Sequence, residues 1–291
     1  MTPGSVFIPG PNDRLGPLLK DALGPDAELV MAEGRSTESD TVGAQALVLG
    51  PGAEAAWELA ARAADVRFVQ FTGCRPPTLA AETLLANGTA VANAGLVIAP
   101  FVAKQTLSLM RTALTLTGRT ERQFVDLVVG IIGLGNVGFA VARELRESGA
   151  SIIYHDIRTP IQGYADEVGA HRQSLDRLLL NSDIVTLHVS DTPHTPGLIG
   201  ARELRLMKPG AVLVNTSLPG AMDEDAVASS LASGTPGAVA LGVIGPRADG
   251  QAGPLSTGGR VIKELEDATD QEAALNAIAG LVADNLKRVE A

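Results

Sequence analysis

Gly133, Gly135 and Gly138 stand at the spacing Gly-x-Gly-x-x-Gly inside VVGIIGLGNVGFAVARELRESGASIIYHD, residues 128–156, and Asp156 closes that run. The chemistry such a triplet supports is phosphate binding by bare backbone. Gly133 permits a tight turn after a strand, Gly135 leaves room for a pyrophosphate, and Gly138 lets the following helix pack closely. Asn136 and Val137 then present early helix N–H groups to the phosphates. Asp156 can accept both hydroxyls of an adenosine ribose and repels a 2′-phosphate, which favours NAD(H) over NADP(H). Arg158, two residues on, works against that preference. A glycine triplet alone is a weak signal. Here a strand precedes it, a helix follows it and a carboxylate ends the next strand, so the reading is a dinucleotide site, with another nucleotide or a purely structural turn as alternatives.

Other groups capable of proton or covalent chemistry are scattered. His188 ends the strand-like VTLHVS and is the candidate proton carrier, the alternative being a cofactor-side or packing residue. His155 adjoins Asp156 on the adenosine side, His171 precedes a helix candidate, and His194 falls in the loop-like DTPHTPG. Their separations form no recognisable metal signature. Cys74 is the only cysteine and has no histidine partner discernible in sequence, so a small buried thiol is the plainer reading than a nucleophile.

The elements that must position these residues alternate in two rounds. SVFIP, AELVM, AQALVLG, VRFVQF and TAVANA read as strands, with helices over 12–22, 53–64 and 77–86. That rhythm predicts an α/β unit with a largely parallel sheet. Residues 101–118 form a long amphipathic helix candidate suited to joining domains or supporting a dimer interface. A second alternation starts at Val128, with strands over 152–155, 184–188, 211–215 and 238–243 and helices near 174–180, 201–207 and 223–232. Gly/Pro-rich residues 245–259 read as a loop, and 270–288 as a final helix. The expected division is a substrate-side α/β domain over 1–100, a nucleotide-binding domain with its connecting helix over 101–269, and a C-terminal helix over 270–291 that returns to the first domain.

Bulk properties narrow the partners. With 23 Lys+Arg against 33 Asp+Glu, a formal charge of −10 gives no general attraction to nucleic acid or anionic membranes, so the expected partner is a small molecule met locally. A single cysteine excludes an intrachain disulfide framework and fits a reducing compartment. MTPGSVFIPGPNDRL has neither a basic region nor an uninterrupted apolar span, which argues against secretion and membrane insertion and for the cytoplasm.

The stretch SDIVTLHVSDTPHTPGLIGARELRLMKPGAVLVNTSLPGAMDEDAVASSLASG, residues 182–234, resembles the cofactor domain of the D-isomer-specific 2-hydroxyacid dehydrogenases. The resemblance extends upstream through the glycine turn and, more faintly, into VRFVQFTG and NAG…VAKQT. It implies two Rossmann-like domains with parallel sheets, an interdomain active-site cleft, NAD(H) as cofactor, a homodimer, and interconversion of 2-keto and 2-hydroxy acids.

Against that family pattern the chemistry-bearing positions depart. Leu218 in NTSLPG stands where the resemblance implies the arginine that holds the substrate carboxylate, and leucine makes no charged hydrogen bond. Residues 244–248 hold no equivalent of the family's acidic residue, residues 260–269 hold no histidine for the acid/base position, and Gly242 corresponds to the aspartate beside the nicotinamide carboxamide. In TGCRPP, Gly73 remains from a carboxylate-binding loop while Arg75 replaces its second glycine, making Arg75 a candidate anion clamp and Gly73 a neighbouring substrate contact. Leu96 and Phe101 make the expected substrate pocket more apolar than a lactate or glycerate site. Lys104 replaces an acidic residue of the family pattern. The expectation is an atypical NAD(H)-dependent oxidoreductase acting on a carbonyl, imine or unsaturated small molecule, with a noncatalytic NAD(H)-binding sensor or structural paralogue, and an NAD-dependent nonredox enzyme, as alternatives.

Overall fold

The computed structural model describes residues 5–9, 14–24, 29–32, 44–50, 54–63, 65–74, 76, 78–118, 124–242, 255, 260–263 and 268–290. Two compact units result, one formed by residues 1–98 and 267–291 and the other by residues 99–266.

In the first unit, strands β1 (Ser5–Pro9), β2 (Leu29–Ala32), β3 (Ala44–Leu49), β4 (Phe68–Phe71) and β5 (Ala90–Asn93) form one sheet in the order β2-β1-β3-β4-β5. Every pairing in it is parallel, so each connection is a crossover. Helices α1 (Leu15–Leu23), α2 (Glu54–Arg62) and α3 (Thr78–Ala86) supply the β1–β2, β3–β4 and β4–β5 crossovers. Trp57 and Leu84 pack with Phe71 on one face of the sheet. On the other, Leu15 and Leu19 meet Ile278, Val282 and Leu286 of the last helix, α10 (Ala268–Glu290), whose apolar positions recur at helical spacing. Gln70, wholly buried in β4, is satisfied within this layer: its Oε1 accepts from Asn285 Nδ2 at 2.9 Å and its Nε2 donates to the Phe71 carbonyl at 2.9 Å.

Helix α4 (Gly95–Leu116) begins earlier than the amphipathic pattern suggests and runs through Pro100. Proline ordinarily argues for a helix boundary, because it lacks an N–H and crowds the preceding turn. Here the true start is set by Asn93, whose Oδ1 accepts the Gly95 N–H at 2.9 Å.

The second unit holds seven parallel strands in the order β12-β11-β10-β9-β6-β7-β8. They are β6 (Val128–Ile132), β7 (Ser151–His155), β8 (His171–Arg172), β9 (Ile184–Leu187), β10 (Val212–Asn215), β11 (Ala238–Leu241) and β12 (Val261–Lys263). Strands β9, β10 and β11 are buried at every position, which is why they read as mostly apolar runs without alternation, with Thr186 and Asn215 the polar exceptions. Helices α5 (Asn136–Glu147) and α6 (Tyr164–Val168) lie with α4 on one face; α7 (Leu175–Asn181), α8 (Ala201–Leu206) and α9 (Glu224–Ala232) cover the other. The order reverses at β6: the chain runs from β6 through β7 to β8 on one side and then crosses back to β9 on the other, and that switch point is where such sheets open a ligand crevice at their carboxyl ends.

Among the described residues no helix is long and apolar enough to cross a membrane.

Candidate functional site

The glycine turn sits at the carboxyl end of β6, and its three glycines answer to three different constraints. Gly133 has φ +93°, and a Cβ there would stand 2.4 Å from the His188 carbonyl oxygen, so both torsion and space demand glycine. At Gly138 a Cβ would meet the Gly133 carbonyl oxygen at 2.0 Å, which fixes the approach of α5 to the turn. Gly135 differs: it has φ −84°, caps α5, and nothing of the protein lies within 4 Å of its missing Cβ. Gly135 thus leaves open space beside the α5 N-terminus, whose unpaired N–H groups and dipole favour an anion. Val137, packed on the core, and Asn136 follow at the first turn of the helix. The Asn136 Oδ1 accepts from Tyr164 Oη at 3.2 Å, and the Tyr164 ring stacks on Phe139 at 3.9 Å, so α6 braces the start of α5.

Asp156, just beyond β7, is tied to the same turn. Its Oδ2 accepts the Leu134 N–H at 2.8 Å and its Oδ1 accepts the Arg158 N–H at 2.8 Å. An ionised carboxylate offers about four acceptor sites, so two remain for a pair of ribose hydroxyls. Beside it Arg172 donates through Nη2 to the Asp156 carbonyl at 2.8 Å, and a hollow of about 480 Å³ is lined by His155, Arg172, Gln173, Ser174 and Arg177.

On the other side of the switch point three adjacent strands end in a row: His188 follows β9, Thr216 follows β10 and Gly242 follows β11. Two residues of α4 reach this edge. Thr106 Oγ1 donates to the Val102 carbonyl at 2.7 Å and lies 3.0 Å from Thr216 Oγ1. A hydroxyl has one proton to give, so with Thr106 committed to Val102 the Thr216 hydroxyl donates to Thr106. Thr216 Oγ1 then accepts the longer contact, 3.5 Å, from His188 Nδ1–H, and His188 Nε2 accepts from Thr186 Oγ1 at 3.0 Å. Desolvation pushes the His188 imidazolium down to about 3, so the ring is neutral at ordinary pH and the threonine chain assigns its proton to Nδ1. The second α4 residue is Gln105. Its amide end lies so near Gly242 that a Cβ there would stand 3.2 Å from Gln105 Oε1 and 2.8 Å from Thr216 Cγ2, and its Nε2 is buried without a hydrogen-bond partner.

The structure therefore brings together Gly133, Gly135, Asn136, Val137, Gly138 and Asp156, with His188 held against the turn through its backbone. Gln105 and Thr106 of α4 reach the sheet edge that holds Thr186 and Thr216, and all four escape sequence reasoning; the only local sign is the polar run Lys104–Gln105–Thr106 in a helix otherwise rich in apolar residues. Leu218 opens the short 3-10 turn Pro219–Ala221, packs against the buried cluster that contains Ile199 and Leu213, and accepts Asn215 Nδ2 at its carbonyl at 2.8 Å.

Of the residues expected on the substrate side, Arg75 lies outside the described residues. Gly73 is buried, and a Cβ there would press on the Phe71 ring at 2.5 Å, so its lack of a side chain already has a packing cause. Leu96 is 69% exposed and Phe101 is half-buried. Cys74 is exposed, so the buried thiol expected from the sequence is not found; partial desolvation by the protein around it raises its pKa to about 11.

Known proteins resemble this chain. A D-specific alpha-keto acid dehydrogenase of Enterococcus faecalis is 41% identical over 123 residues, covering 42% of this chain and 36% of that protein. A D-3-phosphoglycerate dehydrogenase of Methanocaldococcus jannaschii is 28% identical over 264 residues, 84% of this chain and 50% of that protein. The chain thus spans about a third to a half of the length of these curated relatives. The structure of a D-lactate dehydrogenase from Aquifex aeolicus, complexed with NAD and lactic acid, superposes with a TM-score of 0.81 over 97% of this chain and 94% of that one; at 20% identity the likeness speaks for the fold. The sequence profile of the D-isomer specific 2-hydroxyacid dehydrogenase NAD binding domain matches residues 107–263, which take in the glycine turn, Asp156 and all three strand ends. With more than half of its length under that profile, this chain belongs to the D-isomer specific 2-hydroxyacid dehydrogenase family.

Proposed function

We propose that this member of the family is an NAD(H)-dependent oxidoreductase whose substrate is a small carbonyl, imine or unsaturated molecule, handled without the family's usual arginine, acid and histidine. The observation that carries the cofactor half is the contrast within the glycine turn: Gly133 and Gly138 are closed in by the protein's own backbone, whereas Gly135 faces open space beside the α5 N-terminus. When bound, the nicotinamide supplies or accepts the hydride. The chain's own contribution is to cradle the pyrophosphate on the Gly135–Val137 backbone, to hold the adenosine ribose on the free lone pairs of Asp156, and to present the His188–Thr216–Gly242 edge to the other half of the dinucleotide. His188, neutral and fixed at both nitrogens, acts there as a positioning residue. Substrate contacts fall to Arg75, Gly73, Leu96 and Phe101, with Arg75 the candidate anion clamp.

A second reading, an NAD(H)-binding protein without turnover, is favoured by one observation: Leu218 is half-buried, packed against an apolar cluster. The test is a turnover assay in a preparation of demonstrated NADH affinity. Substrate-dependent loss of NADH absorbance across a panel of carbonyl and imine acceptors supports the oxidoreductase. Tight NADH binding with no absorbance change supports the sensor, and product formation without net NADH consumption supports a nonredox enzyme.

A further inference from the structure

We propose that Gln105 is the group that recognises the nicotinamide carboxamide, a specificity-determining contact made by the connecting helix α4. The inference rests on the NAD(H) reading above.

A dinucleotide laid across a parallel sheet of this order divides at the strand where the order reverses. Asp156 marks the adenosine half, beyond β7. The other half must therefore lie over the ends of β9, β10 and β11, where His188, Thr216 and Gly242 stand in succession. Two of these three residues are accounted for by each other, through the threonine and imidazole hydrogen bonds. Gln105 is not. Its Nε2 has been taken out of water and given no acceptor, an arrangement that costs stability unless something else meets it. Among the described residues it is the only buried side-chain nitrogen or oxygen left in that condition.

The space for it is kept by Gly242. A side chain there would collide with Thr216 Cγ2 at 2.8 Å and crowd Gln105 Oε1 at 3.2 Å, so glycine at the end of β11 is what allows the Gln105 amide to occupy the site. The ligand chemistry follows from the donor and acceptor count. A side-chain amide carries one carbonyl and one NH₂, and a second primary amide complements it in both. The nicotinamide carboxamide is such a group. Rotating the Gln105 amide by half a turn exchanges its nitrogen and oxygen and leaves the same complementary pair. Thr106, the next residue on α4, is locked to Thr216 and Val102, which fixes the helix turn that delivers Gln105.

The experiment compares affinities for three ligands: NAD⁺, its 3-acetylpyridine analogue, in which a methyl replaces the carboxamide NH₂, and ADP-ribose, which lacks the pyridine ring. They are titrated calorimetrically into the full chain and into Gln105→Met and Gln105→Ala, with folding followed by circular dichroism. The wild-type protein is expected to prefer NAD⁺ over the acetylpyridine analogue. Gln105→Met, which keeps most of the bulk, is expected to weaken NAD⁺ about tenfold, equivalent to about 1.4 kcal/mol, to erase that preference, and to leave ADP-ribose unchanged. Unchanged NAD⁺ affinity, or equal losses for NAD⁺ and ADP-ribose, overturns the assignment to Gln105 while leaving the cofactor site standing. A wild-type protein that binds none of the three overturns the assignment together with the NAD(H) reading.

Discussion

The Asp156 carboxylate holds the Leu134 N–H at 2.8 Å, so the group proposed to bind the ribose also pins the middle of the glycine turn. Removing it therefore has two effects that different substitutions separate. Asp156→Asn keeps a carbonyl oxygen for Leu134 and loses the charge; it is expected to weaken NAD(H) roughly tenfold or more, within the range for hydrogen bonds to a charged group. It should also improve NADP(H), since the repelling carboxylate is gone while Arg158 and Arg172 stay next to position 156. Asp156→Ala frees the Leu134 N–H as well and is expected to lower affinity for both coenzymes. Titration of NADH and NADPH against each variant checks this, and an unchanged NADH-to-NADPH ratio in the asparagine variant would refute the ribose contact.

The glycines give a sharper contrast. Gly133→Ala places a Cβ at φ +93° and 2.4 Å from the His188 carbonyl oxygen, so a loss of roughly 2–4 kcal/mol and a clear fall in melting temperature are expected. Gly135→Ala meets nothing within 4 Å and has an ordinary φ, so the melting temperature should hold while NADH affinity falls. Thermal melts set beside NADH titrations distinguish the two. A Gly135→Ala protein with full affinity would mean that no phosphate lies against that backbone.

These two residues also show what sequence carries and what it leaves out. The turn is legible because its determinants are local: torsion, helix start and terminal carboxylate all fall within one strand–helix–strand run. The fully buried strands are legible from their mostly apolar composition. The five-residue α6 and two-residue β8 are too short to show any period, and the start of α4 is hidden because Pro100 signals a boundary that the Asn93 cap overrides. At the sheet edge the controlling facts are tertiary. The state of His188 depends on Thr186 and Thr216, and the isolation of the Gln105 amide depends on Gly242, far along the chain. No spacing rule connects them.

The neutral His188 makes stability depend on pH. Its folded value of about 3 lies below the ordinary 6.5, so between those limits the unfolded chain binds the proton and the folded one does not. The contribution is complete above pH 6.5 and is lost progressively as the pH falls toward 3, with a slope of at most about 1.4 kcal/mol per pH unit. His188→Gln, which retains hydrogen-bonding groups and does not titrate, should flatten that part of the profile. Denaturant unfolding of both proteins from about pH 7 down to about pH 5 provides the measurement. Parallel profiles would show that the ring is protonated alike in both states.

The substrate prediction turns on Leu218. A leucine packed against the apolar cluster of Ile199 and Leu213 offers no donor to a carboxylate, and a neutral His188 carries no surplus proton for a developing alkoxide. Loss of an oriented proton donor alone removes roughly two to four decades of rate. Pyruvate, glyoxylate and hydroxypyruvate are therefore expected to be poor acceptors even with saturating NADH, and efficient NADH oxidation by any of them would show that another residue supplies both functions. For an acidic substrate found by screening, Arg75→Ala should reduce turnover more than Arg75→Lys, which retains the charge and loses the planar fork. Unchanged kinetics in the alanine variant, with folding verified, would remove Arg75 from the site and leave the anion-binding role to backbone donors.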